Sequence, residues 1–245
     1  MPLQNAVRPA LSGGALLLGL AAALLAPAAC ADDWGGSMAL ASDKVFRGVS
    51  QSEGRTALLL DLNGRTDTGW VLALGLAGPA YRTQGGTAEL TAGFSKFAQL
   101  DADWTLQLGF THYGVVGSDY SRNYAYDEFS AALGWQGRVL ATLALSPDTW
   151  GANLAGGWRT DRALDFELSL HQRLAGRLAL DAGIGYYDLQ AVRGAGYPYG
   201  SLGLSWGLGP VQGYLTYIDS RAAARGLAPA SLAGRRWVAS LLWSF

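Results

Sequence analysis

Residues 164–171 read LDFELSLH, in which every second residue is apolar. Successive side chains of a β-strand point to opposite faces of the sheet, so this spacing predicts a strand with one apolar and one polar face. Residues 104–113 and 177–187 repeat the pattern. Because soluble β-sandwiches also show such alternation, other features of the sequence must decide the fold class.

The same alternation predicts twelve strands of about 10 residues each, the length with which a barrel strand crosses a membrane. Their predicted bounds are 36–51, 56–65, 70–80, 87–99, 104–114, 126–136, 138–146, 163–173, 177–188, 199–207, 210–219 and 235–245. The connections alternate between short links (66–69, 100–103, 137, 174–176, 208–209) and long ones (80–86, 115–125, 147–162, 189–198, 220–234). Short turns at one end, long loops at the other and an even strand count indicate an all-β, transmembrane, antiparallel up-and-down β-barrel. We expect the alanine-rich loop 221–234 to be mobile.

Tryptophan is sorted by strand direction. Trp70 and Trp104 begin strands that leave the short-turn end, and Trp135, Trp206 and Trp243 end strands that return to it. An amphipathic ring is most stable at the membrane–water interface, so we predict an aromatic girdle at the periplasmic end. Its members are Trp70, Trp104, Trp135, Trp206, Trp243 and Phe245. A soluble periplasmic β-protein remains the weaker alternative, because a soluble core gives no reason for this sorting.

Residues 1–31 have the plan of a secretory signal peptide. Arg8 lies in a segment without acids, residues 15–26 are apolar, and Ala29-Cys30-Ala31 is a small-residue cleavage site. We expect cleavage after Ala31, which leaves residues 32–245 as a barrel in the outer membrane of a Gram-negative bacterium. The alternative is a lipoprotein cut before Cys30, with Pro27 where a lipobox usually has Leu. Cleavage after Ala31 removes the single cysteine.

Composition argues against several other functions. The chain has a formal net charge of -1, so it has no basic field to attract nucleic acid. The sequence contains no phosphate-binding loop, zinc-ligand spacing or dinucleotide fingerprint, and we expect neither a cofactor nor a metal.

In lipid the apolar face of each strand must point outward, so the polar face lines the lumen. The pore-lining candidates are Arg47, Asp61, Arg65, Glu89, Glu128, Arg138, Asp165, Glu167, His171, Arg177, Asp181 and Arg236. A twelve-stranded barrel is wider than the eight-stranded type that its side chains fill, so we expect a water-filled passage unless loops plug it. The lumenal charges either pair with one another or set an ion preference.

Three functions are compatible with this barrel. The leading hypothesis is a porin-like channel for passive diffusion of small polar solutes or ions, with no catalytic residue. The alternative is a non-conducting barrel whose loops bind a partner, with a surface formed by Tyr113, Tyr120, Tyr124 and Tyr126. A lipid-modifying enzyme is less favoured, because His112 is predicted outward and Ser130 inward, whereas a dyad needs both together. His171 is expected in a hydrogen-bond network with Asp165 and Glu167.

Residues 42–52 read SDKVFRGVSQS, and residues 124–128 read YAYDE. The first segment resembles the S-D-Y-x-F-R-G-x-S-Q signature of the TorF-type porins, the Gcw_chp family of proteobacterial outer-membrane proteins, with Lys44 where the family often has Tyr. The second resembles that family's Tyr/Asp/Glu-rich stretch. The resemblance implies a porin-like outer-membrane protein. We expect Phe46 to point outward, Arg47 to point inward toward an anionic solute or a lumenal acid, and Gly48 to permit a bend.

The last strand ends Trp243-Ser244-Phe245. This ending resembles the C-terminal signal by which the outer-membrane barrel assembly machinery recognises its clients. The partners expected from the sequence are therefore outer-membrane lipid, that machinery and small solutes.

Overall fold

The structure, a computed structural model, describes residues 33–80, 87–117, 124–152 and 157–245. Within these ranges, twelve antiparallel strands close into one barrel. The predicted signal peptide lies outside the described residues. No helix in the described ranges has the length and apolar content needed to cross a membrane.

The strands alternate in direction around the barrel, and a separate two-stranded hairpin follows the first of them. In chain order they are β1 (Asp33–Ala41), β2 (Val45–Phe46), β3 (Val49–Ser50), β4 (Ala57–Arg65), β5 (Trp70–Gly78), β6 (Ala88–Gln99), β7 (Trp104–Val116), β8 (Tyr126–Trp135), β9 (Val139–Ala152), β10 (Trp158–Ala175), β11 (Leu178–Asp188), β12 (Tyr197–Leu208), β13 (Val211–Ser220) and β14 (Arg236–Ser244). The barrel closes where β1 pairs with both β14 and β4. We refer to the short-turn end, where β1 begins and β14 ends, as the periplasmic end and to the opposite end as the extracellular end.

The predicted count of twelve barrel strands is confirmed, but the predicted first strand is wrong. The sequence predicted one strand over 36–51, whereas β1 ends at Ala41 and residues 45–50 form the β2–β3 hairpin. Both arms of a hairpin are extended, so their local periodicity is the same as that of one long strand.

The predicted loop 147–162 is also mostly strand. β9 and β10 continue pairing as far as Ala152 and Trp158, beyond a register shift between Asp161 and Ala163. The rings of Trp150 and Trp158 stack with their centroids 4.0 Å apart, which stabilises this extension.

The outward face of the barrel is dominated by exposed apolar side chains. Ile184 is 64% exposed and Leu202 is 55% exposed, and a row of phenylalanine rings crosses β6, β7 and β8 at centroid distances of 5.7 and 5.2 Å. A surface of this extent and character is stable in a bilayer and not in water.

The inward face divides into two sectors. Over β13, β14, β1, β4 and β5 it is largely apolar, with Ala39, Leu59, Ala77, Tyr214 and Leu242 in one buried cluster. The remaining strands supply the carboxylates Glu89, Glu128, Asp165, Glu167 and Asp181, all of them buried.

The last two extracellular loops fold over the mouth of the barrel. A single-turn helix, α1 (Gln190–Arg193), and a 3-10 turn (Ala223–Arg225) lie within them. Contrary to the expectation of a mobile loop, Ala222, Leu227 and Ala233 are buried in a cluster with Tyr197. The alanine-rich composition allows this, because small apolar residues pack closely against the strand ends.

Candidate pore constriction

The segment that resembles the family signature folds into the lumen. Residues 42–52, here called the inner hairpin, leave the extracellular end of β1 and turn inward instead of extending the barrel wall. At its tip Arg47 has φ 49° and Gly48 has φ 74°. Positive φ at both central residues is the geometry of a type I′ hairpin turn, and it is strained for arginine.

Arg47 anchors the tip of the inner hairpin to the opposite wall. Its Nη2 donates to Glu128 Oε2 at 2.6 Å, and its Nε lies 3.2 Å from Asp165 Oδ2. Its guanidinium also lies 4.5 Å from the ring centroids of Phe46 and Tyr187. Arg47 therefore connects the hairpin to β8, β10 and β11 at once.

The charge of Arg47 is fixed by these neighbours. Burial lowers the pKa of the guanidinium, the Glu128 and Asp165 carboxylates raise it, and the net pKa lies well above the usual value. A permanently charged, fully buried arginine requires its carboxylate partners, because an unpaired buried charge is strongly destabilising.

Two further ion pairs hold the base of the inner hairpin. Lys44 Nζ donates to Glu89 Oε1 of β6 at 2.5 Å, and Arg236 Nη1 of β14 donates to Asp43 Oδ2 at 2.5 Å. The other oxygen of Asp43 accepts hydrogen bonds from the Ser50 and Ser52 hydroxyls at 2.6 and 2.7 Å. Asp43 thus joins the two arms of the hairpin and ties them to the barrel wall.

Gly48 fits closely against the wall beyond Arg47. A Cβ atom at this position would lie 2.7 Å from Ser220 Cβ and 2.8 Å from Tyr199 Cβ. The next residue, Val49, forms a β-bridge with Ala233 of the last loop, and Ser50 N donates to Leu232 O at 2.7 Å. The hairpin is therefore held from below by the barrel wall and from above by that loop.

The inner hairpin fills the lumen at this level. Val45, Arg47 and Asp165 are each 1% exposed, and Glu128, Tyr113 and Ile218 are buried with them. Side chains that line an open aqueous passage retain contact with solvent, so the described residues leave no wide passage here. The expected water-filled lumen is therefore interrupted near its extracellular end by a loop.

The periplasmic half of the lumen is more open. Gln107 and Arg173 point inward and are exposed, and Arg65 is exposed beside the Phe97 ring, 4.7 Å from its centroid. A cavity of about 300 Å³ opens among β10, β11, β12 and β13 at this end. The lumen therefore consists of a solvent-accessible periplasmic part and a constricted extracellular part.

The other pore-lining candidates occupy several different places. Asp61 faces inward and accepts a 3.4 Å hydrogen bond from Ser37, whereas Arg138 and Arg177 lie exposed in periplasmic turns and not on strands.

The prediction that His171 hydrogen-bonds with Asp165 and Glu167 is wrong. His171 Nδ1 lies 2.7 Å from Asp181 Oδ1, its directly opposite cross-strand neighbour.

Asp165 and Glu167 have a different partner, which the sequence did not indicate. The Tyr199 hydroxyl lies 2.9 Å from Asp165 Oδ1 and 3.0 Å from Glu167 Oε2, between the two carboxylates. In the described ranges, no group of three or more His, Cys, Asp or Glu residues is placed to hold a metal ion.

The predicted girdle residues all lie exposed near the periplasmic end. The Trp104 and Trp135 rings face each other across β7 and β8 with their centroids 6.5 Å apart. The Trp243 and Phe245 rings, at the end of the chain, have their centroids 5.2 Å apart. Trp70 packs against Phe94 at 6.4 Å, and Trp206 stands opposite Leu178 in the ladder.

The predicted extracellular tyrosine surface and the predicted outward orientation of Phe46 are both wrong. Tyr113 and Tyr126 stack at 4.5 Å inside the lumen and do not form an extracellular surface; Tyr120 lies outside the described residues, and Tyr124 packs on Trp150. Phe46, expected to point outward, lies 6.1 Å from the Tyr113 ring because the hairpin has turned into the lumen.

His112 lies on the outward face and contacts a carboxylate. Its Nδ1 is 2.7 Å from Asp127 Oδ1, and both side chains are exposed. Ser130 lies opposite Gly109 on the inward face, so His112 and Ser130 are on opposite sides of the sheet and do not form a dyad.

A family model described as "Bacterial protein of unknown function (Gcw_chp)" matches residues 26–245. The chain belongs to this family. The Gcw_chp family predicted from residues 42–52 is therefore confirmed, and those residues are the inner hairpin. No curated protein sequence matches the chain.

Solved porin structures share the fold. The chain is similar to a NanC porin structure with a TM-score of 0.59 and 12% identity, covering 87% of this chain and 99% of that one. It is similar to the KdgM porin with a TM-score of 0.53 and 9% identity, covering 86% and 99%. It is also similar to the KdgM porin in complex with disordered oligogalacturonate, with a TM-score of 0.51 and 8% identity, covering 86% of this chain and 98% of that one. At these identities the likeness establishes the barrel fold.

Proposed function

We propose that the protein is a porin-like channel of the TorF type that carries small polar solutes or ions across the outer membrane of a Gram-negative bacterium. One observation carries the proposal: a hairpin held by non-covalent contacts separates a solvent-accessible lumen from the extracellular mouth. Ion pairs and close packing hold the inner hairpin in place, so it can leave its site without breaking a covalent bond. In this proposal the channel conducts when the hairpin moves.

The polar character of the lumen supports small solutes rather than lipids as cargo. The constriction is lined by charged groups of both signs and by phenolic groups, and the side chains of the apolar sector are buried against one another. The structurally similar KdgM porin was solved with an oligogalacturonate, an acidic sugar polymer. A polar solute that can hydrogen-bond to Glu128 or Asp165 would compete with Arg47 of the hairpin for the same groups.

Features of the periplasmic end of the barrel support insertion into the outer membrane. The exposed aromatic residues at the periplasmic end support anchoring at a lipid interface. The C-terminal β14 pairs with β1 and ends at Trp243 and Phe245, which supports recognition of this strand by the barrel assembly machinery. We infer no catalytic role, because His112 pairs with Asp127 on the outward face, away from any serine nucleophile on the lumenal side.

Planar-bilayer recording tests the proposal directly. The wild-type barrel is compared with a variant in which residues 44–52 are replaced by a short Gly-Ser link of the same span. We expect small or infrequent conductance steps for the wild type and larger, persistent steps for the variant. If the variant folds into heat-modifiable barrels and still gives no conductance, the non-conducting alternative replaces the channel.

A further inference from the structure

The cavity at the periplasmic end, here called the periplasmic vestibule, has a chemistry of its own. It has a volume of about 300 Å³ and is lined by His171, Arg173, Arg177, Ser205, Gln212 and Tyr214. These residues belong to β10, the following turn, β12 and β13. No residue of the inner hairpin lines this cavity, although Tyr214 also lines a smaller cavity beside Asp43, Lys44 and Val45.

The lining of the periplasmic vestibule is rich in hydrogen-bond donors. The guanidinium groups of Arg173 and Arg177 supply up to ten N–H donors between them, at about five per arginine. Tyr214 donates its hydroxyl to Gln212 Oε1, which leaves the Gln212 Nε2 amide free to donate elsewhere. Ser205, buried in the same wall, adds a hydroxyl. Such a set suits an oxyanion, because a carboxylate accepts hydrogen bonds and donates none.

The two arginines of the periplasmic vestibule are not neutralised by carboxylates of the described residues. Among the described residues, neither Arg173 nor Arg177 forms an ion pair with a carboxylate. The nearby carboxylate of Asp181 is buried and accepts its contact from His171 Nδ1 at 2.7 Å. In the constriction, by contrast, Lys44, Arg47 and Arg236 are each paired with an acid. The unpaired positive charge of the lumen is therefore concentrated at its periplasmic end.

We propose that the periplasmic vestibule binds a small solute bearing a carboxylate group, held by Arg173 and Arg177 with Gln212 and Ser205 as further donors. The volume accommodates a small organic acid or an acidic monosaccharide. The inference rests on the proposed function for the role of this solute as cargo, but binding itself requires no conduction.

Isothermal titration of the detergent-solubilised barrel with citrate at low ionic strength tests the proposal. We expect saturable binding that weakens as salt is added, since exposed charges are screened. The double variant Arg173→Gln/Arg177→Gln should bind citrate at least about tenfold more weakly, the loss that one charge-assisted hydrogen bond represents. The matched control is Arg159→Gln, which removes an exposed arginine at the other end of β10 and should bind citrate like the wild type.

Two results would overturn the proposal: no citrate binding by the wild-type barrel, or undiminished binding by the double variant. The variant Arg173→Lys/Arg177→Lys keeps both charges and controls for misfolding caused by substitution at these positions. It should bind citrate within a few-fold of the wild type. Citrate binding without conductance in any variant would contradict the channel and leave the periplasmic vestibule as an anion-binding site.

Discussion

The guanidinium of Arg47 lies 2.6 Å from the carboxylate of Glu128, a residue 81 positions further along the chain. Both side chains are almost fully buried, and the contact joins a loop tip to the far wall of the barrel. In the proposed channel, a loop that crosses the lumen and binds the far wall blocks the path of solutes. The inner hairpin is therefore the element to perturb.

Arg47→Gln should release the tip of the inner hairpin. The change leaves Glu128 and Asp165 buried without their cation, which costs about 3–5 kcal/mol for a pair of this kind. We expect a higher open probability in planar bilayers and a lower free energy of unfolding in urea. The control is Arg159→Gln, whose exposed pair with Asp161 at 3.6 Å contributes little. Equal effects of the two variants would argue against a special role for Arg47.

Gly48→Ala tests the close fit of the hairpin against the wall. The added Cβ would lie 2.7 Å from Ser220 Cβ at a residue with φ 74°, so both sterics and backbone geometry oppose it. We expect about 1–3 kcal/mol of destabilisation, the usual range for overpacking, together with increased conductance. Gly54→Ala is the matched control, since Gly54 also has positive φ but no atom lies within 4 Å of its added Cβ. A conductance increase as large in Gly54→Ala would mean that backbone strain, and not the fit of Gly48 against the wall, opens the channel.

A charge reversal tests the pair at the base of the inner hairpin. The Lys44 ammonium lies 2.5 Å from the Glu89 carboxylate. Lys44→Glu therefore places a second carboxylate beside Glu89, and two like charges in close contact repel each other. We expect frequent opening in Lys44→Glu and restored closure in Lys44→Glu/Glu89→Lys, both measured as single-channel open probability. If the double variant opens as often as the single one, the contact is not what holds the hairpin.

Adjacent residues of β7 test the orientation of the strands in lipid. Leu108 points outward and is half exposed, whereas its neighbour Gln107 points into the open part of the lumen. Leu108→Arg should cost about 2–4 kcal/mol of folding free energy in lipid, as expected for arginine near the bilayer midplane. Gln107→Arg should cost much less. The comparison is made by urea titration of both variants in the same vesicles, and similar costs would contradict the assigned faces.

Much of the barrel could be predicted from sequence, because alternation of period two acts within each strand. Residues 164–171 specified both faces of β10, and the tryptophans gave the strand directions. Long-range pairing followed, since neighbouring strands of an up-and-down barrel are neighbours in the chain. The paired extension of β9 and β10 was missed, because Pro147 and Asp148 read as a loop and lie beside the register shift.

The constriction could be predicted only in part. The S-D-K-V-F-R-G segment identified the residues, but its alternation is also that of a strand. What turns it inward is the positive φ at Arg47 and Gly48 together with contacts to Glu128, Asp165 and Tyr187. Those partners lie on distant strands, so no local pattern contains them. Tyr199, which lies between Asp165 and Glu167, was missed for the same reason.

Locking the inner hairpin tests the central claim most directly. Val49 and Ala233 are antiparallel bridge partners, a spacing that a disulfide can span, so Val49→Cys/Ala233→Cys should crosslink the hairpin to the last loop. Conductance of this variant is recorded in planar bilayers before and after reduction, with each single cysteine variant as a control. We predict that the oxidised barrel stays closed and that reduction restores wild-type conductance steps. Equal conductance of the oxidised and reduced barrels would contradict a channel opened by movement of this hairpin.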